Sequence, residues 1–266
     1  MQFGHFDDAR REYVISTPHT PLPWINYLGS EDFLGMISNT GGGYCFYRDA
    51  KLQRILRYRY NAVPGDHGGR FLYIKEEGRP TWNPGYLPTK TPLDRYECRH
   101  GMGYTVFSSA REGLAAEVRY FVPIGEDCEL QGLTLANESD ETKIVHVWGC
   151  VEWCLWNAVD DAQNYQRNLN IAESEAEPSV IYHKTEYRER RDHYAYYAVN
   201  RPAAGWDADR NTFLGHMGDW SDPQMVREER SASSLATGWY PVACHHLSLT
   251  LAPGERFRAA FILGYA

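Results

Sequence analysis

The sequence predicts an all-β protein, a large antiparallel β-sandwich that forms one domain over residues 1–266. Three observations predict this class: short segments alternate apolar and polar residues, turn-forming residues separate them, and the apolar spacing of an amphipathic helix is hard to find. A chain of 266 residues with 43% hydrophobic content can bury a sizeable core without disulfides or a metal. Its aromatic content of 14% suits the packing of strands.

The first predicted pair of strands lies near the N-terminus. Residues 36–38 and 44–47 flank the triglycine turn 41–43, whose glycines we expect to supply the positive φ of a tight turn. Further along, the alternation over residues 118–122 predicts a strand that Pro123 ends. These segments match a sheet whose strands are half-buried.

The second half of the chain continues the pattern. Residues 133–135 run into a polar turn, and an apolar strand over 144–151 follows. Near the C-terminus, 247–251 and 257–263 alternate on either side of the turn 252–255. Their spacing predicts a β-hairpin.

The charge of the chain bears on its partners. The net charge is −8 and the isoelectric point is about 5.7, which argues against binding to nucleic acid or to an anionic membrane, since both need a basic face. The arginines within 188–191 are interleaved with Glu186, Glu189 and Asp192. This run is therefore a mixed-charge patch and no footprint for a phosphate backbone.

The ends of the chain and its cysteines predict a cytoplasmic location. Residues 1–8 contain neither a basic segment nor an apolar one, so we expect no signal peptide. No apolar run approaches the roughly 18–20 residues that span a bilayer, and the six scattered cysteines suit reduced thiols. Residues 261–266 end the chain on an apolar strand, so we expect that it is a piece of a longer protein.

The sequence predicts no metal site and no cofactor. Cys150 and Cys154 would lie roughly 13 Å apart on the strand that contains them, too far for one ion. His245 and His246 are neighbours and would point to opposite faces of a strand. No zinc spacing, phosphate-binding loop, dinucleotide fingerprint or serine-nucleophile motif is present in the sequence.

Three carboxylates are weighed as catalytic acids. Asp160 and Asp161 are adjacent and would point in different directions, so they cannot easily flank one bond, and we expect turn capping or solvation. Glu152 lies within an apolar strand. It could be an acid with a raised pKa, or it could face solvent or be hydrogen-bonded.

The residue types in two stretches indicate ligand binding. Gln166 and Arg167 can form paired hydrogen bonds with neighbouring sugar hydroxyls, and Tyr165 can stack on the apolar face of a sugar ring. The alternative is a polar loop held by amide–backbone hydrogen bonds. The run 182–193 carries charged residues and two histidines among aromatics. It could be a structural charge network or a site.

A series of motifs in chain order resembles one family of enzymes. The motifs are GHFDD (4–8), REYVI (11–15), PWINYLG (23–29), GGY (42–44), FYRDA (46–50), RYRYN (57–61), RHG (99–101), NYQRNL (164–169), YHKTEYRERRDHYA (182–195) and WYP (239–241). They resemble the N-terminal domain of glycoside hydrolase family 94 phosphorylases. Within the family, the 166–167 loop and the run 184–193 favour cellobiose phosphorylases over enzymes specific for N-acetylglucosamine.

The resemblance implies a super-sandwich like that of galactose mutarotase, followed in full-length members by a helical linker and an (α/α)6 barrel. It implies a cytoplasmic homodimer that catalyses a glycosyltransferase-type reaction, in which cellobiose and inorganic phosphate give α-glucose 1-phosphate and glucose with inversion. The catalytic Asp lies on the barrel, so we expect no catalytic residue in this chain, and this chain alone to be inactive. The resemblance also implies that the loop with Tyr165, Gln166 and Arg167 contacts the leaving glucose.

Two other classes of function are kept. A stand-alone carbohydrate-binding or mutarotase-like domain would need a His/Glu acid–base pair, for which His183, His193 and Glu152 are the candidates. A purely structural dimerisation domain would bind no sugar.

Overall fold

A computed structural model of the chain describes residues 2–58, 66, 68–164, 172–177, 179–185, 193–236, 238 and 240–266. The described part is nearly all β and contains two antiparallel sheets. The ten-stranded sheet has the order β1 (Gly4–Asp7), β2 (Glu12–Ile15), β8 (Arg95–Gly101), β9 (Tyr104–Arg111), β10 (Leu114–Phe121), β11 (Cys128–Asn137), β18 (Arg256–Tyr265), β15 (Tyr194–Val199), β14 (Val180–Thr185) and β13 (Ala172–Glu177).

The second sheet has eight strands. Its order is β16 (Gly205–Asp209), β17 (Pro241–Leu251), β12 (Lys143–Trp156), β6 (Arg54–Leu56), β5 (Gly43–Tyr47), β4 (Phe33–Ser38) and β3 (Ile25–Ser30), with β7 (Arg70–Glu76) also paired to β12. Three short helices complete the described elements: α1 (Ala158–Asn164), α2 (Arg210–Leu214) and α3 (Gln224–Arg227). The predicted β-sandwich is confirmed.

The main core lies between the two sheets. In β10, Ala116, Val118 and Tyr120 are buried, whereas the intervening Glu117 and Arg119 are exposed. This is the predicted alternation, because successive side chains of a strand point to opposite faces.

A second apolar cluster covers the outer face of the eight-stranded sheet. Trp148 of β12 and Tyr73 of β7 are Cα partners and are fully buried. Residues of the α2 and α3 region pack on them, including Phe213, Trp220 and Met225. The two helices are short, so this packing rather than their intrinsic propensity stabilises them.

The predicted strand–turn–strand unit around the three glycines is confirmed. β4 and β5 pair, with Ile37 opposite Gly43. Gly41 and Gly43 have φ of 89° and 139°, as predicted for the turn. Gly42 differs: its φ is ordinary, and it is required because a Cβ there would lie 2.4 Å from Oδ1 of Asp66.

The predicted hairpin over 247–263 is wrong, although both of its strands exist. β17 pairs with β12 and β16 in one sheet, and β18 pairs with β11 and β15 in the other. The turn between them therefore crosses from layer to layer. Asn137 fixes this crossing, because its carbonyl accepts from the N–H of Gly254 and its N–H donates to the carbonyl of Glu255.

Candidate functional site

The structure brings together the flanks of the two stretches that the sequence singles out. Outside the described residues lie the predicted sugar contacts Tyr165, Gln166 and Arg167. The segment that contains them enters β13 at Ala172, and the segment 186–192 leaves β14 at Thr185. Ala172 and Thr185 are Cα partners, so the flanks of the two segments adjoin at the β13–β14 end of the ten-stranded sheet.

Helix α1 directly precedes the segment that contains the predicted sugar contacts. It begins after Asn157, whose Oδ1 accepts from the backbone N–H groups of Val159 and Asp160 at 3.0 and 3.1 Å. Such an N-cap satisfies donors that the first turn of a helix leaves free. The N–H of Ala158 donates to the carbonyl of Lys51 at 2.7 Å, which ties the start of the helix to the end of the β5–β6 connection.

A buried ion pair anchors α1 to the eight-stranded sheet. The guanidinium of Arg57 donates to both oxygens of Asp161, with Nη2 2.6 Å from Oδ1 and Nε 2.9 Å from Oδ2. The two side chains are only 6% and 5% exposed. Burial alone would lower the pKa of Arg57, but the carboxylates of Asp161 and Glu152 outweigh burial and raise it, so this guanidinium stays charged.

Glu152 extends this cluster. Its Oε1 accepts from Nη1 of Arg57 at 3.1 Å and from Nε of Arg210 at 3.0 Å, and its Oε2 accepts from Nε1 of Trp220 at 3.1 Å. Both oxygens are therefore engaged by donors. Of the options for Glu152, the structure selects the hydrogen-bonded carboxylate, and Glu152 is not poised as a catalytic acid.

His183 lies beside this cluster in an aromatic environment. Its ring stacks on Trp153, with centroids 5.3 Å apart and an interplanar angle of 8°, and lies parallel to Trp156 at 6.4 Å. No hydrogen bond of good geometry joins either ring nitrogen to a described residue, although the backbone of Cys154 lies close to the ring. Burial lowers the pKa of His183 to about 3, so the imidazole is neutral near pH 7.

Half-buried aromatic residues form the outer rim. Tyr265 stacks on Tyr47 with centroids 4.1 Å apart, and Trp156 meets its edge at 5.5 Å. The Tyr265 hydroxyl also hydrogen-bonds Nδ1 of His193, the first described residue after 186–192. These contacts pack the ring of Tyr265 and engage its hydroxyl, so they fix the chain at His193, where the segment 186–192 ends.

The remaining candidates are separated by the fold. His183, His193 and Glu152 do not form an acid–base pair: the first is buried against tryptophans, the second bonds Tyr265, and the third bonds two arginines. The expectation of turn capping is wrong for Asp161, because Arg57 draws it into the interior.

The predictions for cysteine and histidine pairs hold. Cys150 and Cys154 lie on the one strand β12. His245 and His246 point to opposite faces, since His245 Nε2 bonds the carbonyl of Tyr197 and His246 Nε2 bonds His146.

Sequence reasoning missed Arg57 and Arg210. In the sequence Arg57 is marked only by the motif RYRYN, yet it directly follows the buried strand Arg54–Leu56. A buried arginine needs an acidic partner. That rule could have identified Arg57 as paired, although not with which carboxylate.

Comparison with known proteins gives one family match. The sequence model of "Glycosyl hydrolase 94, supersandwich domain" matches residues 11–266. An N,N'-diacetylchitobiose phosphorylase of Vibrio proteolyticus is 34% identical over 268 residues, which cover 99% of this chain and 33% of that protein. A solabiose phosphorylase of Paenibacillus borealis is 32% identical over 259 residues, or 95% of this chain and 33% of that protein. The chain thus spans about a third of the length of these relatives.

Solved structures share the fold at low identity. A putative kojibiose phosphorylase from the human microbiome superposes with a TM-score of 0.57 at 10% identity, over 100% of this chain and 33% of that one. A galactose mutarotase related enzyme from Lactobacillus acidophilus superposes with a TM-score of 0.51 at 10% identity, over 91% of this chain and 97% of that one. These likenesses confirm the predicted galactose-mutarotase-like super-sandwich. Among the described residues, no helix has the length and apolar character needed to cross a membrane.

Proposed function

The chain belongs to glycosyl hydrolase family 94, and from that membership we propose that it is the N-terminal supersandwich domain of a disaccharide phosphorylase. The support is that both relatives named above are phosphorylases by name. The chain spans about a third of the length of each. In the proposed reaction inorganic phosphate attacks the anomeric carbon from the face opposite the leaving group. Phosphate thus replaces the water of an inverting glycosidase, and the product is an α-sugar 1-phosphate.

The proposed division of labour leaves this domain without the catalytic acid. The two buried carboxylates at the candidate site, Glu152 and Asp161, are engaged by arginines and cannot readily donate a proton. We therefore place the acid and the phosphate-binding residues on the barrel that the family carries beyond these 266 residues. The domain alone is expected to cleave no disaccharide.

The proposed role of the domain is to contact the acceptor-side sugar. Tyr165, Gln166 and Arg167 are the residues proposed for this contact. The observation that carries the proposal is the anchoring of their segment at both flanks, by the buried Arg57–Asp161 pair before it and by the pairing of Ala172 with Thr185 after it. Anchored flanks limit the conformations of a loop and so lower the entropy lost when it binds.

For the substrate we propose cellobiose, cleaved to α-glucose 1-phosphate and glucose. The support is the resemblance of residues 166–167 and 184–193 to family members that act on glucose-type sugars rather than on N-acetylglucosamine-type sugars. The two relatives named above act, by their names, on N,N'-diacetylchitobiose and on solabiose. These two disaccharides are therefore the competing substrates that the experiment must include.

The test is a substrate panel with the whole protein that carries this domain. Release of sugar 1-phosphate is measured with cellobiose, N,N'-diacetylchitobiose and solabiose, each with and without inorganic phosphate. Phosphate-dependent release from cellobiose, with the highest kcat/KM of the three, is the expected result. Phosphate-dependent cleavage of another disaccharide would overturn only the proposal that cellobiose is the substrate. Cleavage that does not need phosphate, or no cleavage at all, would overturn the proposed phosphorylase activity.

The acceptor contact is tested in the direction of synthesis. Arg167→Ala should raise the KM for the acceptor glucose while the free energy of unfolding stays unchanged. The matched control is Arg256→Ala, which removes an exposed arginine at the start of β18. An acceptor KM and a kcat equal to those of the control would contradict the role of Arg167.

Oligomeric state and location are further parts of the proposal. We propose a homodimer, in which this domain reaches towards the partner's active site; light scattering coupled to size exclusion measures the mass. We also propose a cytoplasmic location, which the absence of disulfide bonds among the six cysteines supports. Fractionation of cells with an antibody against the domain tests it.

A stand-alone carbohydrate-binding or mutarotase-like domain is the second candidate. The half-buried stack of Tyr47 on Tyr265 favours sugar binding. Polarimetry of glucose anomers and titration of the tryptophan fluorescence with glucose test this candidate. Anomer interconversion by the 266-residue chain would move it to first place, and a chain that binds no sugar would instead favour a structural dimerisation domain.

A further inference from the structure

A cluster of three potential metal ligands lies at the outer face of the eight-stranded sheet, beside α3. Glu77 directly follows β7, His146 belongs to β12, and Glu229 follows α3. One donor atom from each residue lies within 4.8 Å of the other two. Nothing in the family match or in the proposed phosphorolysis accounts for this juxtaposition.

His146 has an unsatisfied nitrogen that faces the cluster. The residue is only 8% exposed, and its Nε2 has no hydrogen-bond partner among the described residues. The nearest carboxylate oxygen, Oε1 of Glu77, is 3.9 Å away, which is too long for a hydrogen bond. A buried polar nitrogen without a partner is destabilising, so its presence here calls for a ligand.

The other nitrogen of His146 is fixed by His246. Nδ1 of His146 lies 2.9 Å from Nε2 of His246, and the His246 ring stacks on Trp148 with centroids 4.3 Å apart and an interplanar angle of 6°. A hydrogen bond between two imidazole rings needs one nitrogen to donate and the other to accept.

The tautomer in which His146 Nδ1–H donates to His246 leaves a lone pair on His146 Nε2. That lone pair then faces the carboxylates of Glu77 and Glu229, and the three would repel one another unless a cation lies between them. A metal-binding histidine has this arrangement: one ring nitrogen is the ligand, and the other donates to a fixed acceptor.

Glu229 is brought to the cluster by unusual backbone geometry. It has a φ of 55° directly after the C-cap of α3, a position where glycine is usual, and the N–H of Arg230 donates back to the carbonyl of Met225. Nζ of Lys75 lies 3.4 Å from Oε1 of Glu229, so one cation already faces this carboxylate. Lys75 does not reach the unsatisfied nitrogen by any ion pair or hydrogen bond of the described residues.

We propose that His146 Nε2 and the carboxylates of Glu77 and Glu229 bind a divalent transition-metal ion, of which Zn²⁺ is the best match. Imidazole nitrogen with carboxylate oxygen is a usual donor set for zinc. Ligand distances of roughly 2.0–2.2 Å place tetrahedral donors about 3.3–3.6 Å apart, so the carboxylates must move inwards by about 1 Å. The side chains of Glu77 and Glu229 are 52% and 28% exposed and can do so.

The role of this ion is to link the connection after α3 to the eight-stranded sheet. His146 belongs to β12, Glu77 directly follows the paired strand β7, and Glu229 belongs to the connection after α3. Lys75 of β7 is the Cα partner of His146. A ligand that binds only the folded state stabilises it by mass action. The site therefore supports the helical cover over the second apolar cluster and takes no part in the proposed phosphorolysis.

The test is calorimetric titration of the metal-free chain with Zn²⁺, together with its thermal unfolding. We expect one saturable site per chain and a Tm that rises with the Zn²⁺ concentration. Glu77→Gln and Glu229→Gln, both at partly exposed positions, should each weaken binding by about tenfold or more. His246→Phe keeps the stack on Trp148 and removes the acceptor, so it should weaken binding by about 10–100-fold.

Two variants control for charge. Glu117→Gln removes an exposed carboxylate of β10 in the other sheet and should leave the affinity for Zn²⁺ unchanged. Lys75→Met removes the cation beside Glu229 and should tighten binding. The proposal is overturned if Zn²⁺ does not bind at one site, or if binding is the same in Glu77→Gln, Glu229→Gln and Glu117→Gln, since a thiol or another histidine would then hold the ion.

Discussion

Arg57 and Asp161 form a buried, doubly hydrogen-bonded ion pair, although 104 positions separate them in the chain. The pair joins the residue after β6 to helix α1, and so it fixes the point from which the chain departs towards residues 165–167. A guanidinium that binds both oxygens of one carboxylate specifies orientation as well as distance. The buried ion pair therefore fixes the chain directly before the residues proposed to contact the sugar.

The first prediction concerns this pair. Asp161→Asn should reduce the free energy of unfolding by about 3–5 kcal/mol, because it leaves the buried Arg57 with less compensating charge. Urea denaturation of the chain measures it. Asp140→Asn is the control, since Asp140 is exposed and lies in the turn between β11 and β12, and it should cost less than about 1 kcal/mol. Equal effects of the two substitutions would contradict a structural role of the ion pair.

The second prediction concerns Asn137. Its side chain contacts the two connections that cross between the sheets here, β11–β12 and β17–β18. Its Nδ2 donates to the carbonyls of Glu141 and Leu251 at 2.7 and 3.0 Å, and the residue is 1% exposed. Asn137→Ala should cost about 1–3 kcal/mol, because buried carbonyls lose their donors. Thermal unfolding measures it.

The control for Asn137 is Ser139→Ala. Ser139 donates its hydroxyl to Oδ1 of Asn137 at 2.7 Å and is only partly buried. Its loss leaves both Nδ2 hydrogen bonds intact and should cost clearly less. A larger effect of Ser139→Ala would place the stabilisation in the turn and not in the crossing.

The third prediction is a loss of stability in acid. Burial lowers the pKa of His183 to about 3, from the ordinary value of about 6.5. Below pH 6.5 the unfolded state therefore binds a proton that the folded state does not bind. This contribution to stability is therefore complete above pH 6.5 and is lost as the pH falls from 6.5 towards 3. Between pH 6.5 and 4.5 the loss is about 2 kcal/mol.

His183→Phe tests the assignment, because it keeps the stacking on Trp153 and removes the titrating group. The free energy of unfolding of this variant should fall less between pH 6.5 and 4.5 than that of the unsubstituted chain. The exposed His216 provides the control as His216→Gln. If His183→Phe and His216→Gln show the same acid slope, the buried imidazole is not its source.

The fourth prediction concerns Gly42. A Cβ at this position would lie 2.4 Å from Oδ1 of Asp66, whose carboxylate is held by the hydroxyls of Ser38, Thr40 and Tyr58. Gly42→Ala should therefore cost about 1–3 kcal/mol through overpacking. The comparison is with Gly132→Ala in β11, where the nearest atom is 3.9 Å away. Urea denaturation should show Gly132→Ala as neutral or slightly stabilising.

Local patterns predicted the strands well and their partners less well. β4, β5, β10 and β12 lie where alternation and turn residues placed them. The hairpin prediction failed because β17 and β18 have the right pattern and turn between them, yet belong to different sheets. A turn signal reports that the chain reverses; it does not report whether the reversal stays within one layer.

The candidate site divides in the same way. The residue types at 165–167 could be read from the sequence, and they remain a prediction because the structure does not describe them. Their anchor, Arg57 with Asp161, could not be paired in advance. The proposed metal site is a third case: the sequence predicts no metal site, since Glu77, His146 and Glu229 share no motif and meet only through β7, β12 and α3.

The sequence by itself determined the class of fold, most strands, the family and the residue types offered to a sugar. These properties are local, because alternation with a period of two and the choice of turn residues act over a few neighbouring positions. The tertiary structure alone decided which strands share a sheet and which buried charges and histidines meet. Those choices depend on packing and desolvation summed over the whole core, and no short segment of the chain contains them.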